Sequence, residues 1–297
     1  MVSLSHCTID CAALAVSESE PVAFTGAGGL PLVGDRYHGP RQSVLLAHGF
    51  GQTRQSWSST QQRLAAAGYR SLSWDTRGHG ASGRNAGDEK YQLEQFVQDT
   101  AAAAHQLPVA PILVGASMGG LTGLLAQARQ RVFSALVLVD VTPHWEAVGM
   151  QRITDFMTAF EDGFDSYEHA ATAIANYLPH RRQRKSAAQL QHLLRADARG
   201  RLHWHWDRRL LDEFVLGSDH LQEEIAVAAR QIDVPVLLIS GGKSDLVSGR
   251  TIAHFLELVP HARHQQLPEA THMVAGDDND AFSDTLLSYL DTHLAGP

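Results

Sequence analysis

Residues 112–125 read ILVGASMGGLTGLL and combine an apolar run, a glycine-rich turn and a helical pattern. The run 112–114 has the composition of a strand, and leucines recur at helical intervals from Leu121 to Leu125. A strand that turns sharply into a helix at Ser117 places that serine on a strained backbone, with its hydroxyl clear of the sheet edge. The helix N-terminus adds a partial positive charge and free backbone N–H groups beside the oxygen. This stretch therefore predicts a nucleophilic serine.

Gly115 and Gly119 lie two positions on either side of Ser117. A Cβ at either position would collide with the neighbouring strand and helix, so the sharp turn requires glycine there. The alternative is that G-x-S-x-G is a chance pattern in a glycine-rich chain, because three fixed positions are a weak signal alone. The flanking strand and helix favour the functional interpretation, which requires a base, an acid and an oxyanion hole elsewhere in the chain.

Length and charge narrow the class of function. The chain has 297 residues, of which 44% are hydrophobic, so it can form one large domain or one domain that carries a substantial insertion. Its 24 Lys and Arg against 32 Asp and Glu give a formal charge of −8, which does not favour binding to nucleic acid or to an anionic membrane surface. A small-molecule substrate is the predicted partner, and a homo-oligomer stays open.

The predicted location is the cytoplasm. Cys7 and Cys11 would close only a very small loop as a disulfide, so free thiols in a reducing compartment are expected. The opening segment lacks the basic region and the long apolar run of a signal peptide. The sequence also shows no apolar stretch as long as a transmembrane helix needs.

Strand-like and helix-like segments alternate before residue 143 and again after residue 230. The run SVLLA at 43–47 is apolar throughout, as in a strand that is buried on both faces. The motif DTRGHGAS at 75–82 predicts a structural loop tied by an Asp/Arg interaction, with His79 as a structural residue. The alternation predicts an α/β domain with a mostly parallel sheet, whose loops meet at one edge.

HGFG at 48–51 directly follows the strand at 43–47 and is the predicted oxyanion-hole loop. Its glycines let a backbone N–H turn towards a developing negative charge without steric hindrance. The predicted donors are the N–H groups of Phe50 and Met118, with His48 and Gly49 beside the substrate. The alternative is a plain turn in which His48 is a buried hydrogen-bonding residue.

The base and the acid are predicted from late strand ends. His272 follows the last predicted strand and would take the proton from Ser117. The order nucleophile, acid, histidine is the one expected for a serine at such a turn. Asp245, in the turn GGKSD, is the predicted acid. Asp140 is the competing acid, because it also ends a strand, but its apolar surroundings suggest a buried structural role.

The strand–helix alternation stops from 143 to 230, which we call the inserted segment. Its helix-prone and aromatic-rich sequence predicts a helical lid that closes an apolar pocket. Trp145, Met150 and Phe156 are predicted to face the substrate because they follow the strand that ends at Asp140. The other aromatic residues are expected to form the small core of the lid.

The predicted division of the chain is an α/β core in two parts, 1–142 and 231–297, with the lid at 143–230 between them. Within the lid, His203 and His205 lie on one face of an alternating segment. Two imidazoles at this spacing could bind zinc, but the sequence places no convincing third ligand near them, so no metal site is predicted.

Six motifs share this layout and extend over nearly the whole chain: HGFG at 48–51, DTRGHGAS at 75–82, GASMGG at 115–120, LVDVTP at 138–143, GGKSDLVS at 241–248 and ATHMVAGD at 270–277. Together they resemble the α/β-hydrolase fold superfamily, in its lidded branch with epoxide hydrolases, cofactor-free haloperoxidases and carbon–carbon bond hydrolases. The resemblance implies a twisted sheet of about eight strands, with helices on both faces and an inserted helical lid.

The resemblance also bears on the chemistry. Epoxide and haloalkane enzymes of that branch use an aspartate nucleophile, whereas this sequence has Ser117, which favours esters, lactones or activated ketones. The working hypothesis is a serine hydrolase without a metal or organic cofactor, acting on a carboxylic ester or lactone. A carbon–carbon bond hydrolase or a perhydrolase with the same triad stays open, as does a ligand receptor with vestigial activity.

Overall fold

The structure, a computed structural model, describes residues 18–177, 186–211, 219–272, 274 and 280–294. Cys7, Cys11 and most of the opening segment lie outside the described residues, so the expectation of free thiols stays a prediction. Within the described residues, no helix combines the length and the apolar character that crossing a bilayer requires.

The described strands supply a large sheet and a small one. In chain order they are β1 (Glu20–Thr25), β2 (Pro31–Tyr37), β3 (Ser43–Ala47), β4 (Arg70–Asp75), β5 (Ile112–Ala116), β6 (Ala135–Val139), β7 (Leu194–Ala196), β8 (Leu202–Trp204), β9 (Val236–Gly241) and β10 (Arg263–Leu267).

The large sheet has eight strands in the order β1-β2-β4-β3-β5-β6-β9-β10. The β1–β2 and β2–β4 pairs are antiparallel, and every pair from β4 to β10 is parallel. The predicted mostly parallel α/β sheet is therefore confirmed. Strand β5, which leads into Ser117, lies between β3 and β6, so the loops that follow these three strands meet at one edge.

Helices cover both faces of this sheet. The described helices are α1 (Ser58–Ala66), α2 (Leu93–Ala104), α3 (Met118–Gln130), α4 (Ala147–Thr158), α5 (Tyr167–Tyr177), α6 (Ala187–Leu190), α7 (Asp219–Ala229), α8 (Gly249–Leu258) and α9 (Asp280–His293).

Alternate residues of a strand point to opposite faces, and the core divides accordingly. Leu45 and Leu113 pack in one cluster with α2, α3, α7 and α8, whereas Val44 and Val114 pack in a second cluster with α1 and α9. All five residues of β3 are buried. The continuous apolar run at 43–47 thus follows from burial on both faces.

The loop at 75–82 is tied to the core by Asp/Arg pairs, as the sequence predicts, although its own two charged residues do not pair with each other. Asp75 accepts a hydrogen bond of 2.5 Å from Arg54, which lies before α1. Arg77 donates two hydrogen bonds to Asp99 of α2, at 2.6 and 2.8 Å, and both side chains are 1% exposed. The ion pair is bidentate and shielded from solvent, so each buried charge is stabilised mainly by the other.

Replacing Arg77 with methionine leaves the Asp99 carboxylate buried without its counter-charge. We expect Arg77→Met to lower the free energy of unfolding by about 3–5 kcal/mol, measured by urea denaturation. Arg230→Met is the matched control, because Arg230 pairs with Glu223 at 3.7 Å on the surface, and a loss below about 1 kcal/mol is expected there. Equal losses in the two variants would contradict this assignment.

The inserted segment lies between β6 and β9 and contains α4 to α7 together with a two-stranded antiparallel sheet, β7–β8. The segment is thus mainly helical, and β8 lies in the alternating segment that contains His203 and His205. The segment has its own small core, as expected, to which several of its aromatic residues contribute, whereas Trp206 packs elsewhere and Phe214 lies outside the described residues. Its buried members are Phe164, Ala170, Ile174, Leu190, Leu193, Leu194 and Leu202, with Phe156, Phe160, Tyr167 and Trp204 among those packed against them.

Candidate active site

Ser117 stands between β5 and α3, at the turn that the sequence predicts. Its backbone has φ 46° and ψ −120°, a region that residues other than glycine rarely adopt. The Ser117 N–H donates to the carbonyl of Val139 at 3.1 Å, which continues the β5–β6 pairing past the end of the strand. The strained backbone thus lifts the serine at the carboxyl edge of the sheet, where it is only partly buried.

The glycines around Ser117 are required by close packing. A Cβ on Gly115 would lie 2.7 Å from backbone atoms of α3, and a Cβ on Gly119 would lie 2.5 Å from the carbonyl oxygen of Ala47. The predicted collisions with a helix and a strand are therefore confirmed. A Cβ on Gly49 would lie 3.2 Å from the Cβ of Ser117, so the loop at 48–51 directly contacts the serine.

Asp140 ends β6, the strand next to the serine strand, and holds His272. Its side chain is fully buried, and its backbone also has a positive φ, 48°. The Nδ1–H of His272 donates to Oδ2 of Asp140 at 2.7 Å. The N–H of Gly241 and the hydroxyl of Ser244 donate to the same carboxylate at 2.7 and 2.6 Å. Three donors thus fix the carboxylate, and the carboxylate fixes the imidazole.

The prediction of Asp245 as the carboxylate that holds His272 is wrong, and the competing residue, Asp140, takes that place. Asp245 instead accepts a hydrogen bond of 2.9 Å from Arg152 of α4, and its side chain is 31% exposed. The turn GGKSD does serve the site, but through Gly241 and Ser244 rather than through Asp245. The burial that made Asp140 look structural is what holds an acid in one orientation beside an imidazole.

His48 orients the loop at 48–51 through hydrogen bonds to backbone. It is fully buried, its Nδ1–H donates to the carbonyl of Gly49 at 2.8 Å, and its Nε2 accepts the N–H of Thr76 at 3.0 Å. Because the carbonyl and the N–H of a trans peptide point in opposite directions, the Phe50 N–H points away from His48. Both ring nitrogens are used by backbone, as in the alternative of a buried hydrogen-bonding residue, and the predicted place of His48 beside the substrate stays a prediction.

The Met118 N–H is the first of α3, where a helix offers no internal acceptor. Phe50 and Met118 belong to one apolar cluster, which we call the Phe50 cluster. Its buried members are Tyr91, Phe96, Met118, Trp206 and Leu210, with Phe50, Met157, Trp204 and Leu211 packed against them. Met157 and Trp206 of the inserted segment are thus beside the loop at 48–51, a placement that sequence reasoning missed.

The three residues predicted to face the substrate lie elsewhere. Trp145 is 9% exposed in the main core and Met150 packs against the same core. Phe156 packs in the small core of the inserted segment and stacks on Tyr177, with ring centroids 4.2 Å apart. Among the described residues, none of the three belongs to the Phe50 cluster, so their contact with substrate stays a prediction.

Residues 38–279 match the family described as "Serine aminopeptidase, S33". The chain belongs to this family. It is 30% identical over 266 residues to the sn-1-specific diacylglycerol lipase ABHD11 of Mus musculus, over 84% of this chain and 80% of the lipase.

Solved structures agree with this assignment. An esterase of Mycobacterium tuberculosis is similar at 26% identity with a TM-score of 0.71, over 94% of this chain and 92% of the esterase. An α/β hydrolase of Novosphingobium aromaticivorans has a TM-score of 0.76 at 24% identity, over 93% and 99% of the two chains, and shows the fold. The S33-family chain is thus an α/β hydrolase, and ester hydrolysis is the general reaction that its relatives support.

Two further buried histidines, His79 and His205, bind the backbone near Ser117 in this S33-family chain. The Nδ1–H of His79 donates to the carbonyl of Arg77 at 3.1 Å, and its Nε2 accepts the N–H of Gly51 at 3.2 Å. His205 of the inserted segment is 1% exposed and bonds to Gly51 and Gly80. His203 instead contacts Asp197 at 3.2 Å. The two histidines of that alternating segment thus have separate partners, and no group of three metal-binding side chains occurs in the described ranges.

Burial lowers the pKa of His48, His79 and His205, the last to about 3, because a charged imidazole loses its hydration there. Unfolding restores a pKa of about 6.5, so below that pH the unfolded chain binds more protons than the folded chain. Their contribution to the free energy of unfolding is therefore complete above pH 6.5 and decreases as the pH falls towards the folded values.

His205→Gln removes one of these groups without adding a charge. Below pH 6, the free energy of unfolding of the natural protein should fall more steeply than that of His205→Gln, by about 1.4 kcal/mol per pH unit. Urea denaturation at pH 7.5, 6.5, 5.5 and 4.5 measures both slopes. Parallel curves for the two proteins would contradict a buried neutral His205.

Proposed function

We propose that this protein is a serine hydrolase that cleaves a carboxylic ester or lactone of a small, largely apolar substrate through an acyl-enzyme. One observation carries the proposal. Ser117 stands on a left-handed backbone beside the strand end where the buried Asp140 holds His272. The names of its relatives, a lipase and an esterase, support the same class of reaction.

In the first step, Ser117 Oγ attacks the substrate carbonyl carbon and His272 accepts the hydroxyl proton. The hydrogen bond to Asp140 places the imidazole hydrogen on Nδ1, which leaves Nε2 as the basic nitrogen. The carboxylate also stabilises the imidazolium that forms. The collapse of the tetrahedral intermediate transfers the proton from Nε2 to the leaving alkoxide oxygen and forms the acyl-enzyme.

The carbonyl oxygen becomes negative during this attack. The proposed donors are the N–H groups of Phe50 and Met118. The first is orientated by the hydrogen bond of His48 to the preceding carbonyl, and the second begins α3, whose N-terminal dipole favours negative charge. Both donors belong to backbone that is fixed before the substrate binds, which is the condition for strong stabilisation of a transition state.

In the second step, His272 takes a proton from water as the hydroxide attacks the acyl carbon. The same two N–H groups would stabilise the second oxyanion, and the proton returns to Ser117 Oγ when the acid leaves. Each proton that leaves Ser117 or water thus passes through one imidazole. The cycle ends with the free enzyme, an alcohol and a carboxylic acid.

The apolar Phe50 cluster supports an apolar substrate. Its members include both residues that carry the proposed N–H donors, together with Met157 and Trp206 from the inserted segment. Such a surface binds hydrocarbon by burial, and it offers few partners for a charged group. We propose that the inserted segment acts as the lid of this site.

A serine-directed alkyl phosphonate tests the proposal. We expect one phosphonyl adduct per chain, located by mass spectrometry on the peptide that contains Ser117, together with loss of p-nitrophenyl butyrate hydrolysis. The heat-denatured protein is the control and should not react. An alanine p-nitroanilide in parallel tests the peptidase alternative suggested by the family description. An unmodified Ser117, or faster hydrolysis of the anilide than of the ester, would contradict the proposal.

A further inference from the structure

We propose that His205, from the inserted segment, is a positioning residue for the oxyanion-hole loop and acts through the carbonyl of Gly51. Its Nε2–H donates to that carbonyl at 3.3 Å, and its Nδ1 accepts the N–H of Gly80 at 2.8 Å. Only the neutral tautomer with hydrogen on Nε2 makes both bonds. This inference rests on the proposed function, since it assigns the Phe50 N–H to the oxyanion.

Three imidazoles hold three successive peptide groups around Phe50. His48 binds the carbonyl of Gly49, His79 binds the N–H of Gly51, and His205 binds the carbonyl of Gly51. Gly51 has φ 73°, a conformation with little intrinsic preference for one orientation of its peptides. The orientation of this loop is therefore held by the three side chains together with one turn bond, from the Gln52 N–H to the carbonyl of Gly49 at 3.1 Å. Of these, His205 is the side chain that binds the carbonyl of Gly51.

The imidazole of His205 is itself firmly placed. Arg84 donates to the carbonyl of His205 at 2.7 Å, and the N–H of Asp207 donates to the carbonyl of Gly78 at 2.8 Å. Tyr91 donates to the carboxylate of Asp207 at 2.8 Å. Residues 205–207 are thus bound to the core on both sides of the imidazole, so a residue of the inserted segment belongs to the framework of the site.

Two variants separate the two bonds of His205. Glutamine places an amide N–H where Nε2 lies, so His205→Gln keeps a donor for the Gly51 carbonyl. Asparagine places its oxygen where Nδ1 lies, so His205→Asn keeps only an acceptor for Gly80. We expect His205→Gln to retain kcat for p-nitrophenyl butyrate within about threefold, and His205→Asn to lose about 10- to 100-fold with KM little changed. A lost oxyanion donor costs about 10²–10³ in kcat, and a misplaced donor costs part of that.

Arg201→Met is the control for simple loosening of the segment, because it removes bonds to Asp165 at 2.6 Å and to the carbonyl of Gly163 at 2.8 Å inside the segment and leaves residues 205–207 with their partners. It should keep the natural kcat. All assays are made at 10 °C with melting temperatures measured alongside, and His205→Phe, which lacks both bonds, replaces His205→Asn if the latter does not fold. Equal kcat values in the Gln variant and the Asn or Phe variant, or an equal loss in Arg201→Met, would overturn the proposal.

These outcomes are distinct from failure of the proposed function. If phosphonate does not modify Ser117 in the natural protein, the hydrolase proposal itself fails. If Ser117 is modified and esters are hydrolysed, but the His205 variants do not separate, only the positioning role fails.

Discussion

Ser117→Ala should lower kcat for p-nitrophenyl butyrate by about 10⁴- to 10⁶-fold, the largest effect expected of any single change. The variant removes the atom that forms the acyl-enzyme, while the imidazole and the proposed oxyanion donors remain. The residual rate would come from those donors and from binding alone. Initial rates at saturating ester, with enzyme in large amount, are needed to measure it.

Ser59→Ala is the matched control, because Ser59 is an exposed serine of α1. It should leave kcat and phosphonate labelling unchanged. A loss below about tenfold in a folded Ser117→Ala would exclude Ser117 as the nucleophile.

Asp140→Asn should have the second largest effect, a loss of about 10⁴-fold in kcat. The amide can donate to Nδ1, so the imidazole hydrogen moves to Nε2, and the nitrogen proposed to accept the serine proton is no longer basic. The carboxylate charge that stabilises the imidazolium is also lost. KM should change little, since neither effect concerns the bound ester.

Asp245→Asn is the direct comparison, because the sequence favoured Asp245 as the acid. Asp245 is partly exposed and pairs with Arg152, so its variant should keep kcat within about threefold. Urea denaturation of both variants separates chemistry from folding, since Asp140 also accepts bonds from Gly241 and Ser244. A larger loss of kcat in Asp245→Asn than in Asp140→Asn would reverse the assignment.

The sequence could predict the serine turn because its causes are local. A strand, a helix start and two glycines within five residues leave few backbone conformations, and Ser117 adopts the strained one. The sheet was predictable for a similar reason: apolar runs such as 43–47 report burial on both faces. In both cases the signal and the structure occupy the same short stretch.

The acid was not predictable in this way, because it is chosen by contacts between distant strands. Asp140 accepts a hydrogen bond from His272, 132 positions later in the chain. Asp245 instead accepts one from Arg152, 93 positions earlier. The useful signal was present: Asp140 ends the strand next to the serine strand. Its apolar surroundings, however, are equally typical of a buried structural carboxylate.

The contacts of the inserted segment were harder still to predict from the sequence. The sequence predicts Trp145 near the substrate because it follows a strand end closely. In the structure Trp145 packs in the main core instead of the Phe50 cluster. Met157 and Trp206 reach that cluster from α4 and from beyond β8. His205 likewise contacts a glycine 154 positions earlier. Such contacts depend on how the segment packs against the rest of the chain. The periodicity of apolar residues predicts helices and strands but not this packing.

A crystal structure of the phosphonate adduct tests the central claim most directly. We predict phosphorus bonded to Ser117 Oγ, with the phosphoryl oxygen within about 3 Å of the N–H groups of Phe50 and Met118, and His272 still bonded to Asp140. Phosphorus on another side chain, or a phosphoryl oxygen directed away from both N–H groups, would contradict the account.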